Sequence, residues 1–494
     1  VVPYADFLFF GLIFLYIVLP TIVLGLLGRA NVRWNFIANL IVLAVVFGTD
    51  LVVHPGVAVP EIWIVLGYAV YQMLLAFGFL RWKSRRTFWV TLGLAILPLA
   101  ATKFLPSFPG ENAFGFIGIS YVTFRALDVI FSINDKVLTS VAPAQYLAYL
   151  FFFPTVSSGP IDRYRRFGQD FNRIRGRQEF LEDLDAFVHR LLQGFLYKYI
   201  VAFAIKTWWL DVAAKRMGFF HEANYMYAYT FYLFFDFAGY THFAIAFSRL
   251  FGIKSPENFD KPFLSRNIRD FWNRWHISLS FWFRDHIYMR FLLAAAKGKY
   301  FKGKHTASYV GLFITFGTMG IWHGVERYYL LYGAYHAALL SGYDAFARWN
   351  KKSKWWGDGK YHRLADMLLT FHAIAFGLLI FSGHLFPKPL PSFEAVAETV
   401  NCHTISGYAW DVSKRGAPLE VDVYVDEAFM ARVPAKELRE ELRERGYGSG
   451  QLGFSYEVPA YYRDGRPHTV EVKEAESGRL LKGTPETFNC ANGQ

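Results

Sequence analysis

Apolar runs long enough to cross a bilayer recur from the start of this 494-residue chain to about residue 386, and they restrict the fold more than any single motif does. A hydrocarbon core of about 30 Å calls for roughly 20 apolar residues in a helix. Segments of that kind include Phe7–Leu27, Thr87–Leu105, Leu191–Leu210, Tyr225–Phe251 and Met367–Phe386. Backbone amides inside a bilayer must be satisfied within the chain, so these segments form helices. The expectation is a polytopic α-helical membrane protein with re-entrant and interfacial helices over residues 1–386. With 54% hydrophobic and 19% aromatic residues, a soluble body is excluded.

Charge orients the spans. Arg29 and Arg33 follow the first, Arg81, Lys83, Arg85 and Arg86 follow the third, and Asp50–Pro60 between them has no Lys or Arg. Basic loops face the cytoplasm, which puts the amino terminus outside. The most basic loop, Arg348–Arg363, is then cytoplasmic, and the last span exits outward. A multi-pass protein of the cell membrane follows.

After Pro387 the texture changes. PKPLPS opens a linker, read as 387–398, and 399–494 alternates with period two, as in EVDVYV (Glu420–Val425) and HTVEV (His468–Val472). Asp464-Gly465 and Ser477-Gly478 supply turns, so a small extracytoplasmic β-sandwich is expected, with one short helix in Val433–Arg445. From Pro387 on, 17 acidic residues oppose 13 basic ones, so the tail is at −4 and the membrane part at +16, which together make the chain's net +12. The two cysteines, Cys402 and Cys490, bracket the β segment; outside the cytoplasm they are expected to form a disulfide.

Polar side chains at membrane depth are the functional candidates. Arg125 and Asp128 lie three apart on one helical face and can pair with each other or with neighbours. In FFFPTVSSGPIDRYRRF, Pro154, Gly159 and Pro160 point to a broken or re-entrant helix. Asp236 and His242 read first as helix-packing groups. DFWNRWHISLSFWFR, Asp270–Arg284, is too polar to span and too aromatic for a loose loop. It reads as an interfacial or re-entering helix with His276 on its tryptophan-lined side. Gly311–Gly324 is apolar after Thr318 until His323, which either bonds between helices or handles protons. From residue types alone, a general base and a structural histidine stand level. His276, His323 and His336 lie in separate segments, HExxH, CxxC and phosphate-binding glycine loops are missing, and no metal or bound cofactor is expected. Nothing points to nucleic acid.

Five stretches together carry a resemblance. GISYVTFR (Gly118–Arg125), FFFPTVSSGPIDRYRRF (Phe151–Phe167), FDFAGYTHFAIAFSRLFGI (Phe235–Ile253), DFWNRWHISLSFWFRDHIY from Asp270, and MGIWHG (Met319–Gly324) resemble the membrane-bound O-acyltransferase family, most of all its teichoic-acid D-alanylation branch. The resemblance implies that His323 is catalytic and His276 its partner, with Asn273, Trp272, Trp275 and Trp322 lining or supporting the substrate tunnel. It implies a D-alanyl thioester on the phosphopantetheine arm of a small acidic cytosolic carrier protein, and a hydroxyl acceptor on an outer-face glycopolymer. A small single-span membrane peptide is a further implied partner. The amphipathic stretch Ile287–Leu293, with Arg284, Tyr288, Met289 and Arg290, is the expected carrier dock. The β segment departs from this pattern and leaves the acceptor open.

Two other functions stay in view: transfer of acetyl or another short acyl group to an exported polysaccharide, and, in a different class, a glycan-binding transporter or scaffold. A transporter would show repeated halves with discontinuous helices in matching positions, and no such repeat is visible.

Overall fold

The computed structural model describes residues 3–28, 32–48, 60–104, 115–214, 218–386, 393–411 and 418–490. Arg29, the loop 50–59 and the turn PSFPGEN lie outside the described residues. The chain divides into two units, Val1–Phe386 and Pro387–Gln494.

In the first unit, four helices among the described residues are long and apolar enough to cross a membrane: Phe7–Leu26, Glu61–Arg81, Arg85–Phe104 and Lys360–Ser382. Only 22–33% of each is buried within the protein, so Trp63, Val70, Leu74 and Leu97 point outward. Such a surface is matched by lipid rather than by water. The expected span over Leu191–Leu210 is the end of a longer helical path that starts at Arg177 and passes through two π-helical stretches, Leu196–Ala202 and Lys206–Leu210. Lys198 in the first stretch reaches Asp236 at 2.5 Å. Phe219–Leu250 forms one helix of 32 residues that packs along Arg177–Phe195.

One helix that carries two charges is also deeply buried. Ile119–Asn134 is buried on nearly every side, including Arg125 at 1% exposure and Asp128 at 3%. These two do not pair with each other. Arg125 faces the broken segment that follows Pro143–Leu150, where a single 3₁₀ turn, Phe153–Thr155, interrupts the helical path. Its Nη1 donates to the carbonyls of Tyr149 and Leu150 at 3.0 Å each, and its Nη2 to the Thr155 carbonyl at 2.6 Å and to the Thr155 hydroxyl. Irregular backbone at membrane depth leaves carbonyls without partners, and here one guanidinium supplies them. Gly118, at φ +92°, lets the helix begin close against that segment, since a Cβ there would lie 2.3 Å from the Val156 carbonyl oxygen.

Asp270–Arg284 is not one helix. Ile268–Trp272 ends, the chain turns through His276 in the left-handed region (φ 44°, ψ 51°), and Ile277–Phe283 begins. The turn is held by a strand-like strip: Phe259 pairs with Trp275, Asp260 N–H donates to the Arg274 carbonyl and Ile277 N–H to the Asn258 carbonyl, both at 3.0 Å. The helical path then continues through Arg284–Tyr288 and Met289–Gly298.

Among its described residues the second unit has eight strands: β1 Phe393–Val400, β2 Thr404–Asp411, β3 Glu420–Val425, β4 Ala428–Pro434, β5 Glu437–Leu438, β6 Gln451–Glu457, β7 Pro467–Glu474 and β8 Glu486–Asn489. They form two antiparallel sheets, ordered β1-β2-β6-β5 and β4-β3-β7-β8. Alternation does its work in β3 and β7, where Val421, Val423, Val425, Val470 and Val472 are fully buried against Ile405 and Phe454 of the other sheet. Residues 393–398, read as linker, belong to β1, because their alternating side chains pair with β2 from Phe393 opposite Asp411 onward; residues 387–392 lie outside the described ones. The short helix is Glu440–Glu444, and Gly465 and Gly478 sit at positive φ in the expected turns.

Cys402 and Cys490 are joined, with Cα atoms 5.8 Å apart and a sequence separation of 88. Closing a loop of that size restrains the unfolded chain by about 4–5 kcal/mol in the chain-entropy model. Reduction, or Cys402→Ser, is therefore expected to speed hydrogen exchange in β3 and β7 of the full-length protein while leaving the helices of the first unit unchanged. Exchange rates that do not move on reduction would remove the clamp.

His468 lies between two carboxylates, its Nδ1 2.7 Å from Asp426 and its Nε2 2.9 Å from Asp464. Asp426, then Asp464, raises its pKa above the usual 6.5, and the imidazole in turn lowers that of Asp426 below the usual 3.8. A raised histidine pKa stabilises fully below pH 6.5 and fades as pH rises through the folded value. The depressed Asp426 contributes above pH 3.8 and is lost as pH falls through its own lowered value. Protection of β7 should therefore peak between these limits and drop as pH rises through the raised His468 value, and His468→Asn should flatten the alkaline limb. A wild-type limb as flat as that of His468→Asn would exclude the pairing.

Candidate functional site

His276 and His323 come from separate segments and meet at one small cavity. Its volume is about 70 Å³, and its walls include Phe237, Trp272, Trp275, Met319, Tyr332 and Phe381 beside the two imidazoles. His276 arrives there because it caps the start of the helix Ile277–Phe283 in the left-handed region, four residues after the preceding helix ends at Trp272. A non-glycine residue in that region costs on the order of 1–3 kcal/mol and persists where the surroundings over-determine it. Ser278, two residues on, does part of that: its Oγ donates to Asn258 Oδ1 at 2.6 Å and accepts from the Ile161 N–H at 2.9 Å. His276 is 6% exposed, its ring stands edge to face with Phe237 at 4.7 Å, and its Nε2 has no partner.

His323 is the last residue of the helix Thr306–His323. Gly320, one turn back, lets the next helix, Arg327–Ser353, come close: a Cβ there would lie 2.3 Å from the Tyr329 carbonyl oxygen. The His323 ring is enclosed by aromatic rings, with Trp322 at 4.5 Å, Phe381 at 4.8 Å and Tyr329 at 5.9 Å. Among the described residues no carboxylate lines the cavity, and neither histidine has the anionic partner of a His-Asp pair there.

A second cavity of about 290 Å³ adjoins the first, sharing Trp272 and Met319 as common walls. Asn273, Arg284 and Tyr288 line it, as does Asp344. Its mouth is polar: Arg269 donates to Asp344 at 2.9 Å, Arg348 also pairs with Asp344, and Tyr288 OH lies 2.7 Å from Ser308 Oγ.

The expected residues thus fall into distinct places. His276, His323, Trp272 and Trp275 share the small cavity, and Asn273, Arg284 and Tyr288 share the larger one. Trp322 lines neither; it backs His323 and packs 5.3 Å from Phe124, its Nε1 without a partner. Met289 is 43% exposed, and Leu293, one turn on, is 67% exposed. Arg290 is turned away from Tyr288, stacked over Phe131 at 4.3 Å and donating to Asp135. His336 lies outside the small cavity's walls, fully buried, its ring 4.5 Å from Tyr332 and 5.1 Å from Trp272.

Sequence reasoning missed a network around Asp128. Asp128 accepts from Arg163 at 2.8 Å, lies 3.0 Å from His286 Nε2 and accepts from the Tyr164 N–H at 3.1 Å. Arg163 also reaches Asp285 at 2.8 Å. The available signal was the RDH triplet at Arg284–His286, which follows an aromatic helix and offers partners to an isolated buried aspartate.

A family model described as membrane-bound O-acyltransferase matches residues 130–385, and the β unit lies beyond it. The chain is 43% identical over 401 residues to the teichoic acid D-alanyltransferase of Bacillus subtilis, covering 78% of this chain and 98% of that protein. It is 37% identical to the teichoic acid D-alanyltransferase of Lacticaseibacillus rhamnosus, with 78% and 97% covered. The probable alginate O-acetylase AlgI of Pseudomonas aeruginosa is 30% identical over 289 residues, covering 57% of this chain and 51% of that protein.

Proposed function

The chain belongs to the membrane-bound O-acyltransferase family, and on that premise we propose that it moves D-alanine from a carrier-protein thioester to a hydroxyl of an extracytoplasmic glycopolymer such as teichoic acid. The observation that carries this reading is the pair of adjoining cavities: a larger polar-mouthed one suited to an extended phosphopantetheine arm, and a small aromatic-walled one lined by two imidazoles. The names of the two D-alanyltransferase relatives support the acyl group.

In this reading the acceptor oxygen attacks the thioester carbonyl while His323 takes the hydroxyl proton. The tetrahedral intermediate collapses, the C–S bond breaks, and the imidazolium returns the proton to the departing thiolate, leaving ester and free thiol. The thioester is already activated, so the protein's contribution is position, a base and the exclusion of water. His276 orients or polarises the reacting groups across the cavity. The donor is an acidic carrier protein of the cytosol, docking on Met289 and Leu293 beside Arg284. The amino terminus and the β unit lie outside the cytoplasm, a small single-span peptide is a further partner, and the β unit, joined by a short linker, contributes to acceptor handling.

One observation favours a second reading, acetyl transfer to an exported polysaccharide: the similarity to a probable alginate O-acetylase, which spans about half of that protein. Purified protein offered D-alanyl-loaded and acetyl-loaded carrier with a polyol acceptor separates the two, since turnover of the acetyl donor alone would replace the first reading.

His323→Ala is expected to lower kcat by about 10²–10⁴-fold with the fold intact, the usual contribution of a positioned general base. His276→Asn should lose less than His276→Ala. Wild-type turnover by His323→Ala, measured on loaded carrier, would refute the assignment.

Met289→Asp combined with Leu293→Asp should weaken retention of the phosphopantetheinylated carrier in a detergent pull-down by at least about tenfold, because two apolar anchors leave the interface. Unchanged retention would place the dock elsewhere.

A further inference from the structure

A groove of about 580 Å³ runs down the first unit, separate from the two cavities above and sharing no residue with them. One wall is the stripe Arg85, Phe88, Trp89, Leu92 and Ile96 of the helix Arg85–Phe104; the other includes Phe131, Trp282, Arg290 and Ala294. The stripe follows one helical face, and its helix is only 22% buried, so the groove lies along a surface matched to lipid. From Arg85 to Ile96 the helix rises about 16 Å at 1.5 Å per residue, close to half of a ~30 Å hydrocarbon core. The groove is therefore one leaflet deep.

Its open end is cationic. Arg81, Lys83, Arg85 and Arg86 are all exposed, and none has an acidic partner among the described residues. In the wall beneath them, two buried nitrogens also lack partners, Arg290 Nε and His286 Nδ1; the His286 side chain is 8% exposed. Both Nη atoms of Arg290 are spent on Asp135, which leaves Nε as a charged donor without an acceptor. A cationic rim, an orphaned guanidinium donor just inside it and an apolar stripe of single-leaflet length match the three parts of one molecule: an anionic head, ester oxygens and an acyl chain.

We propose that this groove binds one anionic glycerophospholipid from the leaflet that the basic turn faces. Its head group sits among Arg81, Lys83, Arg85 and Arg86, its ester oxygens accept from Arg290 Nε, and one acyl chain lies along Phe88, Leu92 and Ile96. Trp282 and His286 line the same groove, so the lipid packs against the end of the helix Ile277–Phe283.

The test uses the full-length protein in bilayer discs of phosphatidylglycerol mixed equally with phosphatidylcholine, released in the mass spectrometer. The wild type should retain phosphatidylglycerol over phosphatidylcholine by at least about tenfold, as several basic residues near the head group would give. Arg85→Glu should erase that preference; an acid in the first turn of a helix suits its dipole, so the variant keeps its helix. Ala294→Trp, at an exposed helical position, fills the groove and should reduce retention of both lipids. Equal retention of the two lipids by the wild type, or wild-type retention of phosphatidylglycerol by both variants, would overturn the proposal.

Discussion

The guanidinium of Arg125 is the interaction on which the rest of the first unit depends. A charged group at 1% exposure costs several kcal/mol to desolvate unless its donors are met. Here both Nη nitrogens are met by the carbonyls of Tyr149, Leu150 and Thr155, while Nε is left without a partner. The exchange works in both directions: the break in the helical path could not be buried without the arginine, and the arginine could not be buried without the break. From the broken segment the constraint passes to the site, because the Ile161 N–H holds Ser278 Oγ, and Ser278 holds Asn258 beside the turn at His276. A residue some 150 positions away in sequence thereby fixes where one of the two imidazoles points.

The same logic explains what could be read in advance. Spans were legible because a lipid-facing helix needs apolar residues all along its outer side, and length alone identifies Phe7–Leu26 or Lys360–Ser382. His323 was legible because a titratable side chain at the end of such a run has no cheap reason to be there. The turn at His276 was not, since a left-handed residue between two short helices leaves no local signature unless glycine occupies it. Neither was the pairing of Asp128 with Arg163 and His286, because helical periodicity places Asp128 beside Arg125 but says nothing about segments that fold back from far along the chain. In the β unit, alternation in Glu420–Val425 identified a buried valine face, whereas PSFEAVAE read as linker because its first residues are proline and serine and only its pairing with β2 reveals a strand.

One short helix shows how much a three-dimensional arrangement can divide what a sequence presents as one patch. Tyr288, Met289, Arg290 and Phe291 are consecutive, and as a string they read as a single basic, apolar docking surface. At 100° per residue they must instead face different ways. Tyr288 looks into the larger cavity towards Ser308, Met289 and Leu293 look outward, and Arg290 with Phe291 looks into the groove beside Arg85–Phe104. Gly311 makes the arrangement tight, since a Cβ there would come within 3.0 Å of Phe291 and 3.1 Å of Tyr288. The helix that ends in His323 therefore packs at Gly311 on the same turn that separates cavity, outer surface and groove. Any movement of that turn, driven from its outer face or from the groove, is transmitted to the helix Thr306–His323 through this close contact rather than through the ring cage around His323.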